Sequence, residues 1–120
     1  MTEKVYTCEA SSSVKEVAEA MVKGRFGSAI IMEGRWVGGI FTERDVLRAA
    51  ASGADLNTTN VASYMTKDPM TANPDMEADE ALHIMASNGF RHLPVADDKG
   101  VVGIVSLRDV MSTRIARSPR

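Results

Sequence analysis

Apolar residues fall at helical spacing in two places along this chain. Val14, Val17, Ala18 and Met21 recur every three or four positions, and Ala78, Ala81, Leu82 and Met85 repeat the same phase. Each set predicts an amphipathic helix that turns one face to a core. Ser13 and Glu16 form an S-x-x-E capping box that starts the first helix, and Gly24 ends it. The second covers residues 77–87, with Asn88 and Gly89 as its stop. Two short apolar runs follow each helix: 28–32 and 36–41 after the first, 92–96 and 101–105 after the second. So short a turn between runs predicts an antiparallel hairpin. Thr42 and Ser106 then open a further helix, and a short strand is expected ahead of each copy, at 5–9 and 70–73. The order β-α-β-β-α therefore occurs twice.

The two occurrences align without a gap at an offset of 64 residues, the distance from Asp45 to Asp109. Residues 39–46 read GIFTERDV and residues 103–110 read GIVSLRDV. Met1 and Thr2 fall on Met65 and Thr66, Glu16 on Glu80, Met21 on Met85, Phe26 on Phe90 and Val37 on Val101. A gapless match of this length marks two copies of one supersecondary unit. Units of about 60 residues bury too little surface for a secure core of their own. The expected fold is α/β (α+β): two pseudo-symmetric β-α-β-β-α units packed into one module around a shared core. The first unit is assigned to 1–56. The second is assigned to 57–120, including a lead-in linker and a basic tail.

At these residues the chain resembles a tandem pair of cystathionine-β-synthase (CBS) domains, a Bateman module. The signature G-h-h-[ST]-x-x-D stands at Gly39–Asp45 and again at Gly103–Asp109. His92, Leu93, Pro94 and Val95 supply the H-x-P-V strand before the second signature, and Met65, Thr66, Asp68 and Pro69 match the usual lead-in. The first copy departs from the pattern, with Ser28, Ala29, Ile30 and Ile31 where H-x-P-V would stand.

The repeated helix start admits two chemistries. In one, Thr42 with Asp45, and Ser106 with Asp109, are only capping boxes. In the other, the free N–H groups, the hydroxyl and the neighbouring Arg44 or Arg108 take a phosphate, while the Asp carboxylate accepts hydrogen bonds from a vicinal diol. That combination suits a phosphorylated ribose. The resemblance implies the same: a regulatory, non-catalytic module binding AMP, ADP or ATP in a cleft between the copies. By that analogy one site takes Ile104, Ser106, Arg108 and Asp109, with Arg91 and His92 toward phosphate and Tyr6 and Phe26 over the adenine. The other takes Ile40, Thr42, Arg44 and Asp45, with Met70 and Phe90. Ser28 in place of an imidazole leaves the Asp45 site with fewer phosphate donors, so tighter binding is expected at Asp109. Phe26 and Phe90 also fit a core role, and His92 also fits a hairpin tie.

Composition narrows the classes. The 120 residues carry a net charge of −2, and the lysines and arginines form no stripe with aromatics, so neither nucleic acid nor an anionic membrane is an expected partner. No apolar run is long enough to span a bilayer, and the first ten residues lack a signal-like apolar core. A single cysteine, Cys8, fits a cytoplasmic setting and a half-buried place. His83 has no ligand-spaced partner, so no metal is expected. No P-loop or G-x-S-x-G motif is present, and no enzyme is expected. Trp36 is expected to be a half-buried hairpin residue or a partner contact. The resemblance further implies a homodimer, helices against helices, and a regulated partner protein. The rivals are a structural dimerisation module with vestigial sites, and a sensor of S-adenosylmethionine or NAD(H).

Overall fold

The computed structural model describes residues 5–110. The chain divides into two compact units: Val5–Pro69, and a second whose described part runs from residue 70 to 110.

In the first unit, β1 (Thr7–Cys8) leads to α1 (Val14–Gly24), β2 (Ser28–Glu33), β3 (Trp36–Thr42) and α2 (Glu43–Ala51). A 3-10 turn at Val61–Ser63 and a strand β4 (Thr66–Lys67) follow. The sheet order is β1-β2-β3-β4, with β1 parallel to β2 and the other pairs antiparallel. Ser13 caps α1, its Oγ accepting the Glu16 N–H at 3.1 Å. Two further orphan donors of α1 are met by the linker: the Val14 and Lys15 N–H groups donate to the Thr59 and Leu56 carbonyls, each at 2.9 Å. Residues 56–61 thus fold onto the start of α1, and Val61 is fully buried beside Val14, Val17, Ile31 and Phe41.

In the second unit, α3 (Ala78–Asn88) precedes β5 (His92–Asp97) and β6 (Gly100–Ser106), and Leu107–Val110 begin a helical turn. The expected strand at 70–73 is reduced to one parallel bridge between Ala72 and Val95. Pro69 and Pro74, which lack N–H donors, flank it.

The 64-residue offset holds at the level of single hydrogen bonds. Helices α1 and α3, strands β2 and β5, and strands β3 and β6 begin and end at matching positions. Each hairpin has its irregularity at the same place, after Ile31 and after Val95. The Glu43 N–H donates to the Gly27 carbonyl, and the Leu107 N–H to the Arg91 carbonyl. Both helix ends close in the left-handed region, but with different residues: Gly89 at φ 70 and Arg25 at φ 59. Gly24, expected to end α1, is its last helical residue, and the left-handed cap falls on Arg25; a Cβ at position 24 would lie 2.3 Å from the Phe26 ring.

Among the described residues, each unit has a cluster of buried hydrophobics. Val14, Val17, Met21, Ala29, Ile31, Phe41, Ala49 and Val61 form the first. Ala72, Ala81, Met85, Leu93, Val95 and Val110 form the second. Among the described residues no helix is long and apolar enough to cross a membrane.

Candidate functional site

Each β-hairpin delivers its last strand into the start of a helix, and the signature residues sit at that junction. In the first unit Thr42 is the N-cap of α2 and Asp45 lies one turn in. The Thr42 N–H and Oγ1 both donate to Asp45 Oδ2, at 2.9 and 3.2 Å. A carboxylate has no proton to offer, so the Thr42 hydroxyl spends its single hydrogen on Asp45. Arg48 Nη1 donates to Asp45 Oδ1 at 2.9 Å. Asp45 is only 6% exposed. Arg48 in turn lies over the Tyr64 ring, 5.9 Å from its centroid. Ser52 Oγ donates to the Ala49 carbonyl at 2.9 Å, so the 2.6 Å contact with Tyr64 is a bond that the phenol donates.

The second unit has the same reciprocal capping box that Thr42 and Asp45 form. The Ser106 N–H donates to Asp109 Oδ2 at 3.2 Å, while Ser106 Oγ accepts the Asp109 N–H at 3.1 Å. Asp109 is half-buried and lines a cavity of about 170 Å³ with Ala72, Asn73, Pro74, Ala81, Val95 and Val105 among its walls. His92 pairs with Ser106 across the β5–β6 ladder, in the register in which Ser28 faces Thr42 in the other hairpin. The Arg91 carbonyl accepts the first helical N–H, from Leu107, at 2.7 Å, so the Arg91 backbone abuts this helix end. Gly27, its counterpart, offers no side chain.

The structure distributes the expected residues as follows. Tyr6 and Phe26 stack on one another within the first unit, ring centroids 5.9 Å apart at 25°. Burial and the neighbouring Cys8 and Glu16 push the Tyr6 hydroxyl pKa up. Ile40 is buried and Ile104 half-buried, each on the strand leading to its helix. Arg44, Arg91 and Arg108 are exposed. Phe90 is half-buried against the second core, and Met70 is exposed. Trp36 is 70% exposed, so it is not the half-buried hairpin residue the sequence suggested. Among the described residues no group of His, Cys, Asp and Glu could hold a metal ion. The sequence reading missed Arg48 and Tyr64. The i,i+3 spacing of Asp45 and Arg48 was the available signal for the first.

These features define a protein of two like β-α-β-β-α units, each presenting a hydroxyl–carboxylate pair at a helix start. The family model described as the CBS domain matches residues 1–52 and 61–115, and the chain belongs to that family as a tandem pair. By packing, residues 61–69 lie with the first unit, although the second family match begins at 61. A 17.7 kDa protein from the bps2 3′ region of Acidianus ambivalens is 41% identical over 111 residues, covering 91% of this chain. This chain spans 66% of that relative's length. The CBS domain pair of protein MJ0100, solved in complex with 5′-methylthioadenosine and S-adenosyl-L-methionine, superposes with a TM-score of 0.87 at 25% identity, covering 98% of this chain and 94% of that one. The CBS domain protein PAE2072 from Pyrobaculum aerophilum, complexed with AMP, gives 0.81 at 25% identity, covering 91% and 85%.

Proposed function

We propose that this chain is a non-catalytic regulatory module that binds an adenine nucleotide, AMP, ADP or ATP, at the helix start carrying Asp109. One observation carries the reading: a half-buried carboxylate at a helix start borders an apolar-walled cavity, with the Ser106 hydroxyl beside it. A ribose diol needs an acceptor, a phosphate needs donors, and a base needs apolar walls. The cavity is smaller than the roughly 300–1,000 Å³ of a drug-sized pocket, which suits one moiety of a nucleotide with the rest outside. Related pairs solved with AMP and with S-adenosylmethionine support an adenosine-containing ligand. Arg91, His92 and Arg108 are the phosphate donors of this reading, with Ile104 against the base.

Regulation follows from differential affinity. A nucleotide that favours one conformation shifts the population toward it, and a partner protein reads the shift. The apolar groove lined by Ala18, Met21, Val22, Phe26 and Val46, together with exposed Leu47, supports assembly as a homodimer through helix faces. A thermal-shift screen of AMP, ADP, ATP, NADH and S-adenosylmethionine tests the ligand class. At about one hundred times its Kd a ligand adds roughly 2.7 kcal/mol. A rise in Tm with an adenine nucleotide is expected. A rise with S-adenosylmethionine or NADH alone reassigns the ligand, and no rise with any of them supports a structural module whose Asp45 and Asp109 only cap helices.

A further inference from the structure

We propose that Asn88–Gly89 is a covalent modification site: a latent deamidation site held shut by the last turn of α3, whose isoaspartyl product uncouples that helix from β5. The proposal stands on the second unit alone and needs no ligand at either signature.

The chain has four asparagines, Asn57, Asn60, Asn73 and Asn88, and Asn88 alone is followed by glycine. Glycine has no Cβ to crowd an attacking backbone nitrogen, and its backbone turns freely. The reaction is redox-neutral and needs only water and hydroxide. The Gly89 amide nitrogen gives its proton to hydroxide and forms a bond to Asn88 Cγ. The Cγ–Nδ2 bond breaks, and the amide nitrogen leaves as ammonia with a proton from water, which restores the hydroxide. Water then opens the cyclic imide at either carbonyl, giving aspartate or isoaspartate.

The structure presents both reacting groups to solvent and restrains both. Asn88 is exposed, and a Cβ built on Gly89 would meet nothing within 4 Å, so the turn is open to water and hydroxide. Asn88 Nδ2 donates to the Ile84 carbonyl at 2.8 Å, and the Gly89 N–H donates to the Met85 carbonyl. The first bond ties the leaving group back along the helix, and the second withholds the nucleophile. Both belong to the last turn, where a helix opens at least cost. The fold does not require this pair of residues. At the 64-residue offset Gly24 and Arg25 stand in its place, and Arg25 makes the same left-handed close at φ 59.

The product differs from the parent in two ways. A carboxylate at position 88 loses the donor to the Ile84 carbonyl and sets negative charge at the negative end of the helix. Isoaspartate also inserts one carbon into the backbone ahead of Phe90, whose N–H donates to the Met85 carbonyl at 2.9 Å and whose ring packs on the second core. Phe90 and Arg91 lead directly into β5, so the added carbon falls on the connection between α3 and that strand.

The test incubates the full chain in mildly alkaline buffer, folded and in urea, and follows it by peptide mass spectrometry. The amide-to-acid mass gain should fall on the peptide holding Asn88. Asn88→Gln, whose longer side chain closes a ring far less readily, should remove it. The folded chain should react on the order of tenfold or more slowly than the unfolded one, because two hydrogen bonds must open first. The isolated isoaspartyl form should melt below Asn88→Asp, which carries the charge without the extra carbon. Reaction in urea that starts at Asn57, Asn60 or Asn73 instead removes the site, and equal rates folded and unfolded show that the helix end guards nothing. An isoaspartyl form that melts together with Asn88→Asp overturns the uncoupling of α3 from β5.

Discussion

Cys8 illustrates how local surroundings set a residue's chemistry. Burial, then the carboxylates of Glu16 and Glu9, push its thiol up to about 11. The neutral thiol is the form the fold favours. Below the unfolded-state value of 9.0 both states carry the proton, and the stabilisation is complete. From there to about 11 the unfolded chain loses its proton first, so stability falls as pH rises through that window. At pH 8 the folded thiol should alkylate on the order of a hundredfold more slowly than a free cysteine, since the thiolate is the nucleophile. Iodoacetamide kinetics on folded and urea-unfolded protein check this. Equal rates would place Cys8 in water.

At the scale of elements, the two helix ends make a controlled comparison. Gly89→Ala places a Cβ in open space but at φ 70, so only backbone strain opposes it, about 1 kcal/mol. Gly24→Ala has an ordinary backbone but drives a Cβ into the Phe26 ring, and overpacking of this kind costs about 1–3 kcal/mol. Urea denaturation should rank Gly24→Ala as the more damaging, and Arg25→Gly should cost little or stabilise, because glycine suits φ 59. The reverse ranking would mean that Phe26 yields easily. These details mark the limit of the sequence. Helical periodicity, the capping box at Ser13 and the gapless repeat were legible because each rests on local spacing. The left-handed Arg25 was not, because an arginine there violates local preference and is held by Arg25 and Phe26 N–H bonds back to α1. Strand β4 was hidden for a related reason: a polar two-residue strand carries no alternation, and only its pairing to Gly39 and Ile40 creates it. The braced Arg48 depends on Tyr64, which lies 16 residues further along the chain and reaches it only once the linker has folded back onto α1.

For the whole molecule, the reading is of a family member that senses an adenine nucleotide and works as a homodimer. The repeat and the signature made the family legible from sequence. The Arg48 bond to Asp45 was less so, because only the folded helix shows that the side chain turns back to that carboxylate. Exposed Val22 on α1 and Leu47 on α2 are the apolar residues a dimer would cover. Light scattering at micromolar concentration should give twice the mass of 12.9 kDa, and Val22→Asp with Leu47→Asp should shift it toward monomer. A parent that stays monomeric would remove the dimer.

The central claim is that Asp109 receives a nucleotide, and a comparison of the parent with Asp109→Ala by calorimetry with AMP tests it most directly. A buried hydrogen bond to a charged group is worth about 1.5–3 kcal/mol, so loss of the carboxylate should weaken binding by at least tenfold. Saturable heat in the parent that disappears in Asp109→Ala is the expected result. An Asp109→Ala protein that still melts cooperatively and binds AMP as tightly as the parent would contradict the account.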